Sequence, residues 1–340
     1  MKKNTTLLIA LLITAALALV PLFIKKDNLL TYLCMILLFI SLASSWNILG
    51  GYTGQVSLGH SAFFGLGALA TRLLWFAGWN VILGMLVGGV IAIVFALLIG
   101  SPAFKLRGAY FTIGTLALGQ ILYATVGNLL PQISSMPVQD LQSYTLVTRY
   151  YLFLVIALIT VLVAYLIANS RLGLGMMAVR EQEDAAESLG VNAFRHKLIA
   201  LLVSAFLAGL AGGAFAFFQI GYYPQYPFSP VWTLDSTMMA YVGGTGTILG
   251  PIIGAVFFVV LKEVLSLNLA EFHPTVFGIL FILVVLFLPG GFMGLWSRIR
   301  DQIRKKRVRA AEERPASSGV ERGSGTLAAS SAGRRSFCSL

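Results

Sequence analysis

The sequence predicts an all-α protein, a polytopic transmembrane helix bundle with about eight to ten membrane segments, some of them broken or re-entrant. Three observations predict it. Hydrophobic residues make up 58% of the 340-residue chain and charged residues only 11%, a balance too apolar for a water-soluble domain. Several apolar runs approach or reach the roughly 20 residues that a helix needs to span hydrocarbon. Ten-residue segments of alternating polarity do not recur, which argues against an outer-membrane barrel.

The first run covers residues 6–24 and follows Lys2 and Lys3. A charged start, an apolar stretch and small residues at Ala16 and Ala18 also fit a cleavable signal peptide. An uncleaved helix is the expectation, because the apolar run continues through Phe23 and Ile24. Residues 29–49, 81–99, 150–167, 198–218 and 276–288 are the other plainly apolar runs. Residues 56–76, 110–130, 234–249 and 252–267 read as helical but less apolar. These runs define a transmembrane domain over 1–297, with a polar segment at 170–197 between two spans. Residues 298–340 form a tail, basic at first and then rich in Ser, Gly and Ala, and its end is expected to be disordered.

Lys and Arg cluster at Lys105 with Arg107, over 171–197 and over 298–309. If ten segments cross, all three clusters fall on the side of Lys2 and Lys3, which the positive-inside rule makes cytoplasmic. Both termini are therefore expected inside. Lys25 and Lys26 dissent, landing outside beside Asp27. The net charge of +11 follows from this bias and from a basic tail at the lipid surface, so no nucleic-acid partner is expected.

The stretch "NILGGYTGQVSLGHSAFFGLGAL" interrupts this pattern with glycines and polar residues. Gly50 and Gly54 are four apart, Gly59 and Gly65 follow, and Gly246, Gly250 and Gly254 repeat the rhythm in "GGTGTILGPIIGA". Small residues at this spacing allow close helix packing in lipid, and Pro251 is expected to break the helix there. Gln55, Ser57 and His60 are expected to line a translocation path or gate, since polar groups at membrane depth face a bundle interior or cavity. The plainer alternative is hydrogen bonding between helices. Asp235 and Thr237 receive the same reading in weaker form, with Asp235 alternatively at an interface. Lys262 beside Glu263 near a helix end reads as snorkelling to the interface.

The polar segment "SRLGLGMMAVREQEDAAESLGVNAFRHK" predicts a helix over 176–189, ended by Gly190 as a C′ residue and followed by Asn192 as the cap of the next helix. Ala185, Ala186 and Gly190 would make a low-relief face that another protein can pack against, with Glu183, Asp184 and Glu187 facing basic groups at its rim. A solvated loop helix is the alternative.

A phosphate loop, a zinc-binding H-E-x-x-H helix, a G-x-S-x-G elbow and a His/Cys cluster are all missing from the sequence. No enzyme activity, cofactor or metal is therefore expected. Cys34 and Cys338 match no metal or redox spacing.

"EDAAESLG" resembles the cytoplasmic E-A-A-x-x-x-G signature of ABC-importer permeases, with Asp184 where Glu is common. "GGYTGQVSLGHSAFFGLGA", "KLRGAYFTIGTLALGQ", "AVREQEDAAESLGVNAFRHKLIALLVSAFLAGLAGG" and "GGTGTILGPIIGA" together resemble the LivM-type permease subunit of branched-chain amino-acid importers. The resemblance runs in order over residues 29–295 and leaves out the tail. It implies a second, LivH-type permease subunit, two cytoplasmic ATPases and a periplasmic substrate-binding protein as partners, with ATPase coupling at 183–190. Leucine, isoleucine and valine would be the cargo. Similar permeases also serve urea, short amides and other amino acids, and a stand-alone secondary transporter or channel would use the same broken helices.

Overall fold

The computed structural model describes residues 2–23, 26–130, 144–268 and 290–297, with single helical positions at 276, 278, 279, 282, 286 and 300. The apolar run 276–288 and the tail fall mostly outside the described residues. The chain is all-α, as its composition dictates. In order come α1 (Lys2–Phe23), α2 (Asp27–Thr53), α3 (His60–Phe76), α4 (Val81–Ala103), α5 (Ala109–Leu129), α6 (Leu146–Ala168), α7 (Arg171–Glu181), α8 (Glu183–Ser188), α9 (Ala193–Phe218), a 3-10 turn (Tyr226–Phe228), α10 (Pro230–Gly243) and α11 (Leu249–Asn268).

Among the described residues six helices, α2, α4, α5, α6, α9 and α11, are long and apolar enough to cross a membrane. The apolar part of α1 described here, Thr14–Phe23, is shorter. With 17 and 14 residues, α3 and α10 fall short of the roughly 20 a straight crossing takes. Burial separates centre from rim. The apolar windows of α2 and α9 are 67% and 72% buried, against 22–33% in α4, α5, α6 and α11. In an apolar solvent no gain comes from hiding Leu from lipid, so the outer helices keep Leu, Ile and Val on their open faces.

Close backbone approach holds the centre together. A Cβ at Gly67 of α3 would run into the Gly209 carbonyl of α9, and one at Gly212 into the Phe64 carbonyl of α3. Gly88 of α4 lies against Gly67 in the same way. The α3–α4–α9 contact is thus lined by glycine on all three helices, which lets backbones meet where dispersion is the main attraction.

Arg72 of α3 is completely buried. Its guanidinium donates to the carbonyls of Ala216, Gln219 and Ile220 at 3.1–3.2 Å and lies 5.0–5.3 Å from the rings of Trp75, Phe76 and Tyr222. The α9 C-terminus has carbonyls without helical partners and a negative dipole end, and a cation is the group that satisfies both.

Three sequence expectations are corrected here. Residues 56–76 and 234–249 are not continuous helices, because 56–59 and 244–248 are irregular. Pro251 does not break a helix. It sits in the first turn of α11, where a missing N–H costs nothing. The helix expected over 176–189 is two helices, divided at Gln182, whose φ of −160° and ψ of 112° are extended.

Candidate functional site: two broken helices and a polar segment

Past Thr53 the chain reverses at Gly54, a left-handed C-cap with φ +73°, and doubles back along α2. Ser57 reaches the level of Trp46, whose indole N–H donates to the Ser57 carbonyl at 2.8 Å. Non-helical backbone at membrane depth needs partners supplied by protein, and α5 provides them. Thr112 Oγ1 donates to the Val56 carbonyl at 2.8 Å, and Thr115 Oγ1 accepts from the Leu58 N–H at 3.1 Å. Gly59 permits this docking, since a Cβ there would collide with the Thr115 carbonyl.

A second break, residues 244–248, lies beside the first. Asn47 of α2 is 1% exposed and ties this break to α2, its Oδ1 accepting from the Gly246 N–H at 2.8 Å and its Nδ2 donating to the Thr247 carbonyl at 2.9 Å. Thr247 Oγ1 adds a bond to the Gly244 carbonyl and accepts from the Gly250 N–H. Gly246 has φ +77°, a left-handed conformation that favours glycine.

The sequence-predicted path residues divide into two groups. Ser57 and His60 are buried and Gln55 is half-buried in the turn. His60 Nε2 lies 3.0 Å from Ser45 Oγ, and the Ser61 N–H donates to Thr233 Oγ1 at 2.6 Å. Thr237 is four residues from Thr233 and shares its helix face, so Thr237 belongs with this group. His60 Nδ1, Ser61 Oγ and Thr237 Oγ1 are buried and find no hydrogen-bond partner among the described residues. Asp235, two positions from Thr237, faces elsewhere and pairs with Lys262 Nζ at 3.3 Å.

Of the glycines singled out by spacing, Gly250 lies against the Gly244 carbonyl and Gly254 against the Met239 carbonyl, which closes α10 onto α11. Gly65 lies against the Phe228 ring. Gly50 meets only its own helix's Trp46, and Gly54 meets the Arg180 side chain. Gly51, between them, is the residue that touches the second break, at the Gly246 backbone.

The polar segment 170–197 is tied to this core through Arg180 at the end of α7. Its Nη1 donates to the Gly51 carbonyl at 2.9 Å, and its Nη2 pairs with Glu181 at 2.7 Å. Glu183 pairs with the buried Lys197 at 2.6 Å, and Asp184 with Arg107 at 3.9 Å on the surface, a contact worth about 0–1 kcal/mol. Ala186 is turned inward onto Val179 and Ala193. Ala185, Glu187, Gly190 and Leu189, the last 85% exposed, form the open tip. Gly190 has φ +86° with nothing near its missing side chain, and Asn192 caps α9 through its bond from the Arg195 N–H.

Residues 28–287 match the family model described as branched-chain amino acid transport system / permease component. The chain belongs to that family. It is 28% identical over 312 residues to the high-affinity branched-chain amino acid transport system permease protein LivM of Salmonella typhimurium, covering 82% of this chain and 72% of that protein. Against LivM of Escherichia coli it is 26% identical over 344 residues, with 92% and 79% covered. A match of 28% over 201 residues, 53% of this chain and 56% of the relative, links it to the autoinducer 2 import system permease protein LsrC of Yersinia pseudotuberculosis. This permease is thus a multi-pass membrane protein of the LivM type.

Asn47, Thr112, Thr115 and Arg180 were not legible as site residues. Each acts across at least 50 residues of sequence, so no local spacing reveals it. For Asn47, Thr112 and Thr115 the one signal was polarity within an apolar helix, and Arg180 is one of several charges in a polar segment.

Proposed function

We propose that this permease is one membrane-spanning subunit of an ATP-driven importer for branched-chain amino acids. It works with a LivH-type permease subunit, two cytoplasmic ATPases and a periplasmic substrate-binding protein. The termini and the 170–197 segment face the cytoplasm of a bacterial cell, in keeping with the Lys and Arg clusters. Gln55, Ser57, His60 and Thr237 line the translocation path, whose buried, unpartnered polar atoms suit a hydrated or polar species.

One observation carries the reading. The α7–α8 segment is joined to the last turn of α2 by the Arg180–Gly51 bond, Gly54 at the start of the first break lies against the Arg180 side chain, and Gly51 touches the break before α11. A push on α8 therefore arrives at both irregular stretches, the parts of the bundle least held by helical hydrogen bonds. The ATPase would meet the open tip, where Leu189 is the apolar anchor, Ala185 and Gly190 admit close approach, and Glu187 faces basic groups. A buried apolar anchor outweighs a rim charge in such contacts.

Cysteine substitution tests it. With Ser188→Cys in the assembled complex, a membrane-impermeant thiol reagent should fail to label intact cells and should label inverted vesicles. A bifunctional thiol reagent should then crosslink this position to the ATPase. Labelling from outside the cell would overturn the orientation and with it the docking role.

A further inference from the structure

We propose that a cleft at the end of the bundle remote from α7–α8 is a binding subsite for a zwitterionic amino acid. The inference rests on the amino-acid reading above and gives it a place in the chain. The cleft lies among α2, α10 and α11 and has a volume of about 360 Å³, within the ~300–1,000 Å³ typical of small-molecule sites. Tyr32, which lines it, precedes Gly51 by 19 residues of α2, so the cleft and the Arg180 contact are about 28 Å apart at the helical rise of about 1.5 Å per residue.

Its chemistry has two poles and an apolar wall. Lys262 and Glu263 are adjacent on α11 and Asp235 faces them from α10. Lys262 Nζ reaches Asp235 Oδ2 at 3.3 Å, so its head bends into the cleft instead of snorkelling away. Glu263 Oε1 accepts from the Tyr32 hydroxyl, a neutral donor, and among the described residues no cation pairs with it. Glu263 is part-buried, and a carboxylate drawn out of water is stabilised by a positive group that meets it. An ammonium entering the cleft supplies that group, drawing on Glu263 and Asp235, while Lys262 swings on its flexible stem to the ligand's carboxylate. The stacked rings of Phe39 and Trp232, 5.6 Å apart, form a wall for an aliphatic side chain.

The contacts on α11, Val259, Lys262, Glu263 and Ser266, recur at the three- and four-residue spacing of one helix face. Each neighbouring helix contributes a comparable stripe. Tyr226 of the 3-10 turn and Ser229 also line it, so three helix stripes and the turn before α10 together form the cleft.

Equilibrium binding of labelled leucine to the purified permease–ATPase complex, without the substrate-binding protein, tests the proposal. Unmodified complex should bind leucine. Two competitors truncate the ligand, 4-methylpentanoate lacking the ammonium and 3-methylbutylamine lacking the carboxylate, and each should compete at least about tenfold more weakly, the loss of one charge-assisted contact. Glu263→Gln and Lys262→Met should each weaken leucine binding by about the same factor while the ATPase still co-purifies. The proposal is overturned if both variants bind leucine as the unmodified complex does, if the truncated ligands compete as well as leucine, or if a complex active in leucine uptake shows no leucine binding. In those cases leucine uptake by the unmodified complex keeps the importer reading intact. An assembled complex, complete with its binding protein, that takes up no amino acid overturns that reading itself.

Discussion

Replacing Asn47 with Leu removes the side chain that bridges α2 to the break before α11. The change preserves volume approximately and keeps the helix, so backbone propensity does not complicate the outcome. It leaves the Gly246 N–H and the Thr247 carbonyl without the partners they have at 2.8 and 2.9 Å, in a place where Asn47 is 1% exposed. A fully buried unsatisfied polar group costs about 1–3 kcal/mol; these two are part-buried, so the pair amounts to about 1–3 kcal/mol. That is an appreciable share of the roughly 5–15 kcal/mol by which folded domains typically exceed their unfolded state. The 244–248 stretch should therefore loosen before the rest of the bundle. In detergent, Asn47→Leu should melt several degrees below the unmodified protein, and a protease should cut within 244–248 at concentrations the unmodified protein resists. Unchanged melting together with unchanged resistance at 244–248 would refute the bridging role.

Arg180→Gln should leave the ATPase bound but lower substrate-stimulated ATP hydrolysis about tenfold, the low end of the ~1.5–3 kcal/mol of a charge-assisted bond, because Arg180 is about a third exposed; an unchanged stimulation ratio would detach Arg180 from coupling. Gly190→Ala and Gly190→Leu separate strain from bulk. Both meet the left-handed penalty of about 1–2 kcal/mol, but space around Gly190 is open within this chain, so a greater loss of co-purified ATPase for Leu than for Ala marks a partner surface, and equal loss argues against one. Gly59→Leu should abolish uptake while still inserting, because its Cβ meets the Thr115 carbonyl and overpacking of this kind costs about 1–3 kcal/mol or more; normal uptake would show that the 54–59 turn need not dock on α5.

The helical class was legible because it depends on bulk composition, and local glycine clusters marked the neighbourhood of the two breaks, although 56–76 and 234–249 read as helical and the second break was expected at Pro251. What closes the breaks was not legible. Asn47 and the Gly246 backbone are 199 positions apart in sequence, and Thr112 and Val56 are 56 apart, so only the fold brings them together. Glycine spacing showed a similar limit. Gly67 and Gly212, which make the close approaches between α3 and α9, are not among the glycines that spacing singled out, since which face of α9 meets α3 is set by packing. In the polar segment the extended Gln182 divides one expected helix into two and turns Ala186 inward, leaving Leu189 at the tip. Arg72 was passed over because a charged residue in an apolar run has no local partner to reveal its role; its carbonyl acceptors belong to the end of α9.

If this chain moves amino acids only when an ATPase drives it, proteoliposomes containing the chain, its companion permease and the ATPases, with the binding protein added outside, should accumulate labelled leucine, isoleucine or valine. That uptake should require ATP in the compartment facing the ATPases and stop with a hydrolysis-deficient ATPase. Accumulation that proceeds without ATP, or vesicles that take up urea or short amides and ignore all three amino acids, would contradict this expectation, the first in mechanism and the second in cargo.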